Sequence, residues 1–206
     1  MKKIYMLITL FLATFLLSAC QEEDFEMKTY EHFRSDNNPV VTMHIRDIGT
    51  MKIELFPDVA PNTVNNFIKY VEDGFYDGVA FHRVIEGFVV QGGQNPDLNT
   101  RCAIEGEFVT NEFLNPLIHS RGVISMARTN DPNSATSQFF LMHRNAPHLD
   151  ENYAAFGVLI EGYDVLDIIA TTETGPNDRP TTDKVIETAT VILNGYEPDE
   201  VACYQR

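Results

Sequence analysis

Residues 81–93 read F-H-R-V-I-E-G-F-V-V-Q-G-G, and no other stretch limits the fold as much. Two short apolar runs, 81–85 and 88–91, flank Glu86-Gly87, a turn signal, and predict two strands. The difficulty is Arg83 and Gln91, set among Phe81, Val84, Ile85, Phe88, Val89 and Val90. A guanidinium removed from water costs free energy unless its donors are used. Two readings stay open at this point. Either Arg83 snorkels at a sheet edge, or Arg83 and Gln91 are the polar groups of an apolar groove shaped for a small ligand with a carbonyl. Strand alternation places Val89 and Gln91 on one face and Phe88 on the other. A groove holding both Phe88 and Gln91 therefore requires a bend or bulge, which Gly87 permits.

The flanking chain keeps strand periodicity. Residues 40–46 and 50–56 alternate apolar and polar side chains across Asp47-Ile48-Gly49, a hairpin pattern. Ala60-Pro61-Asn62-Thr63 opens a helix with Val64, Phe67, Ile68 and Val71 on one face, and Gly74 closes it. Residues 121–127, 138–142 and 154–160 read as strands. A second helix follows, with Val165, Ile168 and Ile169 on one face, and residues 185–193 alternate as a last strand. Residues 128–137 and 171–183 are long polar loops. Seven or eight short strands and two helices predict a mostly β domain, a closed or nearly closed antiparallel barrel with helices over its ends.

The two ends read differently. Residues 1–20 carry Lys2 and Lys3, then an apolar run, then Ser18-Ala19 before Cys20, which is an export signal. The ending L-S-A-C resembles the lipobox of bacterial lipoproteins, in which the Cys is lipidated and becomes the first mature residue. The division expected is a lipoprotein signal peptide at 1–19, a lipidated Cys20 with an acidic tether to residue 38, a folded domain at 39–194, and a disordered tail at 195–206. Gln21 is not the Asp that, by that resemblance, retains lipoproteins at the inner membrane. The expected location is therefore the cell envelope, lipid-anchored at the outer membrane. A formal charge of −15 argues against duplex nucleic acid and against anionic headgroups as partners. Three cysteines contain no C-x-x-C pair, and whether Cys102 and Cys203 reach bridging distance is not legible from spacing.

Four segments occur in order: F-H-R-V-I-E-G-F-V-V-Q-G-G, G-V-I-S-M-A-R, S-A-T-S-Q-F-F and H-L-D-E-N-Y-A-A-F-G. Over roughly residues 40–194 the chain resembles cyclophilin-type peptidyl-prolyl cis/trans isomerases. The resemblance implies a closed eight-stranded antiparallel β-barrel with two capping helices. It implies Arg83 as the catalytic arginine, with Phe88, Gln91 and Phe140 as catalytic groove residues. Val89, Ala127, Arg128, Thr129, Gln138, His148, Leu149 and Tyr153 match substrate-binding positions. Val89 stands where a Met is common, His148 where many members carry Trp, and Tyr153 where many carry His. The loop 128–137 is one residue longer than in eukaryotic members. The implied ligands are proline-containing polypeptides, bound by a monomer. The alternative function is a proline-peptide-binding chaperone module with incidental catalysis. No cofactor and no metal are expected. His32, His44 and His119 are isolated in the sequence, His82 reads as a packed structural histidine, and His143 and His148 have no carboxylate at ligand spacing.

Overall fold

Alternation in the first two strands selects the face that is buried. A computed structural model describes residues 25–205; the signal-like segment and Cys20 lie outside the described residues. In β1 (Val40–Ile45) and β2 (Gly49–Leu55), the side chains of Val41, Met43, Ile45, Met51, Ile53 and Leu55 all point inward. None is more than 3% exposed. The two strands pair antiparallel from Val40 opposite Glu54 to Ile45 opposite Gly49. The remaining strands are β3 (Val79–Ala80), β4 (Arg83–Ile85), β5 (Val89–Gly92), β6 (Val123–Met126), β7 (Phe139–Met142), β8 (Ala155–Glu161) and β9 (Val185–Ile192).

All nine lie in one antiparallel sheet, in the order β3-β9-β1-β2-β8-β6-β7-β5-β4. The sheet is curled and open, a half-barrel, and the expected closed eight-stranded barrel does not form. Its two edges, β3 and β4, are consecutive in the chain. The backbone changes partner between them: Phe81 N–H donates to the Lys184 carbonyl at 2.9 Å, and His82 N–H to the Gln91 carbonyl at 3.0 Å. The groups on either side of the seam already serve β9 and β5, so no ladder joins β3 to β4. Two residues of β3 are too few to give a periodic signal, which is why the sequence does not reveal that strand.

The first helix, α1, spans Pro61–Glu72 with Pro at its start. Its expected inward face, Val64, Phe67, Ile68 and Val71, is buried. Phe67 packs against Phe139 and Phe156 at ring separations of 5.4 and 5.1 Å, which ties the helix to the sheet. Ala60 provides no side-chain cap. The Glu107 carboxylate does so from a distant loop, accepting from Asn62 N–H at 3.1 Å and Thr63 N–H at 2.7 Å. Burial pushes this carboxyl group up, against the lowering effect of those hydrogen bonds. The second helix, α2 (Tyr163–Ala170), buries Val165, Leu166, Ile169 and Ala170. Ile168, expected on that face, is turned out and 49% exposed.

Both flanks are more ordered than their composition suggests. From Lys28 on, the segment read as a tether packs against the sheet. Lys28 N–H donates to the Pro116 carbonyl at 2.6 Å, and Arg34 pairs with the buried Glu54 at 2.9 Å. The segment read as a disordered tail is docked on α1. Tyr196 donates its hydroxyl to Asn65 Oδ1 at 2.6 Å, and Asn62 exchanges two 2.9 Å hydrogen bonds with the Ala202 backbone. Cys102 and Cys203 form a disulfide with Cα atoms 5.6 Å apart.

Candidate active site

The turn at Glu86-Gly87 resolves the alternation conflict. Gly87 takes φ +75°, a left-handed conformation that glycine adopts without steric penalty. Phe88 N–H closes the turn on the Ile85 carbonyl at 3.0 Å. The ladder of β5 begins only at Val89, so Phe88 sits in the turn and is not bound by strand alternation. A row of side chains then crosses four strands. Arg83 of β4 faces Gln91 of β5, Gln91 faces Phe140 of β7, and Phe140 faces Ser125 of β6. Directly opposed residues share a face of the sheet, and this row sets one polar and one aromatic wall side by side.

The resulting cleft has a volume of about 250 Å³. Arg83 and Gln91 line it together with Phe88, Val89, Phe140 and Leu149. Ala127, Arg128 and Tyr153 complete its rim. Arg83 Nη1 donates to Gln91 Oε1 at 3.4 Å, and Gln91 Nε2 donates to Gln138 Oε1 at 3.0 Å. Gln138 thus orients Gln91 from behind and does not itself line the cleft. Asp178 Oδ2, from a loop far along the chain, lies 3.4 Å from Arg83 Nε. Nothing in the linear spacing marks Asp178, and only the fold brings it to Arg83.

Phe140 is held between two rings. Tyr153 meets it edge-on at 5.7 Å, and His119 stacks behind it at 6.1 Å. His119, isolated in the sequence, is paired in space: Nδ1 lies 2.9 Å from Asp150 Oδ1 and Nε2 lies 3.1 Å from Ser125 Oγ. This has the partners of a hydrolytic triad, but Ser125 is 0% exposed and no substrate carbonyl can reach it. It is a buried polar support for the aromatic wall. His148 is exposed and stacks on Phe88 at 5.5 Å, outside the cleft lining.

The remaining expected residues divide. Arg128 is used internally: Nε and Nη2 donate to the Asn152 carbonyl at 3.2 and 2.9 Å, and its guanidinium lies 4.6 Å from the Tyr153 ring centre. Thr129 is exposed and does not line the cleft, because its N–H and hydroxyl both bond Ser134 Oγ within the loop. His143 does have a carboxylate, Asp167 at 3.2 Å, supplied by α2, and its Nδ1 accepts from Gly87 N–H at 2.8 Å. Burial pushes the His82 imidazole below its ordinary value, with a Gln138 hydrogen bond opposing. Among the described residues no three His, Cys, Asp or Glu side chains cluster as metal ligands do.

This curled sheet with an arginine-bearing cleft matches a known family. Residues 40–191 match the family model described as cyclophilin type peptidyl-prolyl cis-trans isomerase/CLD. The Arabidopsis thaliana peptidyl-prolyl cis-trans isomerase CYP18-1 is 39% identical over 75% of this chain and 96% of its own length. A peptidyl-prolyl cis-trans isomerase of Acinetobacter baylyi is 42% identical over 62% of this chain and 70% of its own length. A crystal structure of a Cryptosporidium parvum cyclophilin type isomerase, solved in the presence of the dipeptide Ala-Pro, superposes with a TM-score of 0.66 at 27% identity. It covers 74% of this chain and 98% of that one. The chain belongs to the cyclophilin-type peptidyl-prolyl cis/trans isomerase family, and its activity is peptidyl-prolyl cis-trans isomerisation.

Proposed function

We propose that the cleft binds an Xaa-Pro segment of an extended polypeptide and that Arg83 acts on the bond before the proline. The observation that carries this reading is the row Arg83–Gln91–Phe140, which sets one oriented cation beside an aromatic wall in a single cleft. That the Cryptosporidium relative was solved in the presence of the dipeptide Ala-Pro supports the ligand class.

Rotation about a peptide bond faces a barrier of about 18–20 kcal/mol because resonance keeps the amide planar. No bond is made or broken, so the protein has only to favour the twisted amide. The planar form is the more polar one, and an apolar pocket disfavours it relative to the twisted form. Phe88, Val89, Phe140 and Leu149 take the proline ring. Arg83 donates to the proline carbonyl and polarises the region of the ring nitrogen as its lone pair returns. Arginine suits this role because it stays charged and its donors are rigidly disposed. Gln91 orients Arg83, and Ala127, Arg128 and Tyr153 flank the substrate chain, with His148 beyond Phe88. Thr129, turned into its own loop, has no part in this reading.

A protease-coupled proline-peptide assay of the full-length chain tests the assignment. Arg83→Ala is expected to lower kcat/KM by about 10²-fold, the scale of one transition-state donor. Equal rates for the two proteins would overturn it.

The reading extends to location. Cys20 is the lipidated first residue of the mature chain, residues 1–19 are its signal peptide, and the clients are exported proteins met at the outer membrane. Its support is the composition of residues 1–20 and the Cys102–Cys203 disulfide, a bond that persists in oxidising compartments. The intact mass of the chain extracted from membranes is expected to start at Cys20 with acyl chains attached. An unmodified Cys20 in that preparation would sink the assignment.

A further inference from the structure

Arg83 has two side-chain partners, and only one of them comes from the hairpin that carries it. Gln91 holds Nη1 across the strand pair, and Asp178 stands 3.4 Å from Nε. Among the described residues Nη1 makes the only hydrogen bond of the guanidinium, and Asp178 lies within ion-pair distance of Nε. The loop carrying Asp178 is pinned on both sides: Gly175 N–H donates to the Arg179 carbonyl at 2.8 Å, Thr181 N–H to the Glu173 carbonyl at 2.9 Å, and Pro180 is buried. Asn177 and Asp178 both lie in the left-handed region, with φ of 60° and 59°. That region is uncommon for residues with a side chain, and Asn and Asp tolerate it best. A loop held in this way fixes where the Asp178 carboxylate points.

We infer that Asp178 is a positioning residue for Arg83: its carboxylate, on the Nε side, restricts the orientation that the guanidinium takes in the cleft. The inference rests on Arg83 being the group that acts on the amide. Both side chains are part-exposed, at 39% and 48%, and a pair so hydrated adds little to stability. Its consequence is orientation, which a donor acting only in the transition state depends on. Asp178 acts through Arg83 and need not touch the substrate.

The test compares full-length wild-type protein with Asp178→Asn, Asp183→Asn and Arg83→Ala. Asn keeps the size of Asp178 and tolerates its backbone conformation while removing the charge. Asp183 lies on the same loop and faces Arg179 at 3.9 Å, so its variant makes the same charge change away from Arg83. Asp178→Asn is expected to lower kcat about five-fold with KM within about two-fold, because orientation and not ground-state binding is lost. The Nε–Hε signal of Arg83 in nitrogen-15 NMR is expected to shift and broaden in Asp178→Asn and not in Asp183→Asn. A kcat for Asp178→Asn at or above wild type, with Arg83→Ala impaired, overturns the positioning role alone. An Arg83→Ala variant as fast as wild type overturns the reading of the site itself.

Discussion

At the scale of single residues, the cleft is marked by one cation that has partners on two elements. Arg83 lies at the end of a β-ladder, keeps access to water, and has its planar fork constrained by neighbours on two elements. Lysine would preserve the charge but not the fork. Arg83→Lys is therefore expected to recover only a small part of the loss seen in Arg83→Ala, in the same peptide assay, with the deficit in kcat. The adjacent Ser125–His119–Asp150 group shows the opposite use of polar chemistry. Buried and mutually satisfied, it supports Phe140 from behind, and its inaccessibility separates it from a nucleophilic site.

At the scale of elements, α2 is linked through side chains to the Glu86-Gly87 turn beside the cleft. Asp167 of α2 receives Arg121 at 2.8 Å and His143 at 3.2 Å, and His143 in turn accepts from Gly87 N–H. The Arg121 hydrogen bond holds the Asp167 carboxyl below the ordinary carboxylate range. A depressed folded-state value contributes stability that is present above the unfolded carboxylate value and is lost as pH falls through the folded one. Asp167 is nearly half exposed, so screening limits the effect to about 1 kcal/mol. Asp167→Asn is expected to be less stable than wild type at pH 7, and the gap is expected to close in urea titrations as pH falls through the folded carboxylate value. A gap that widens on acidification would contradict the assignment.

At the scale of the whole molecule, the two termini of the described chain are bound to the sheet and to α1. The Cys102–Cys203 bond joins residues 101 apart in sequence, and a loop of that size stabilises by up to about 4–5 kcal/mol in the chain-entropy model. The Cys102→Ser, Cys203→Ser double variant is expected to lose about 2–4 kcal/mol of unfolding free energy. Its kcat should match wild type, since neither cysteine lines the Arg83 cleft. Denaturant unfolding and the peptide assay on the same preparation check both statements, and an unchanged midpoint would contradict the first.

Sequence alone determined what local patterns can encode. Period-two alternation marked β1, β2 and β9, the Pro61 start and the spacing of Val64, Phe67, Ile68 and Val71 marked α1, and four ordered motifs pointed to the family. It also named residues that line the cleft: Arg83, Phe88, Val89 and Gln91 are neighbours in one hairpin, and the family resemblance supplied Ala127, Arg128, Phe140, Leu149 and Tyr153. What it left undecided needed partners distant along the chain. Phe88 joins Gln91 only because Gly87 turns the chain before the ladder begins. The barrel stays open because the backbone around Phe81-His82 is shared between β9 and β5. Ile168 faces solvent because α2 docks on a neighbouring face. His119 gains partners, the tail becomes an anchored strap, and Asp178 reaches Arg83 through contacts that carry no periodicity. Local propensity is written along the chain, whereas the contact between Arg83 and Asp178 depends on the loop before β9 meeting a hairpin formed near the middle.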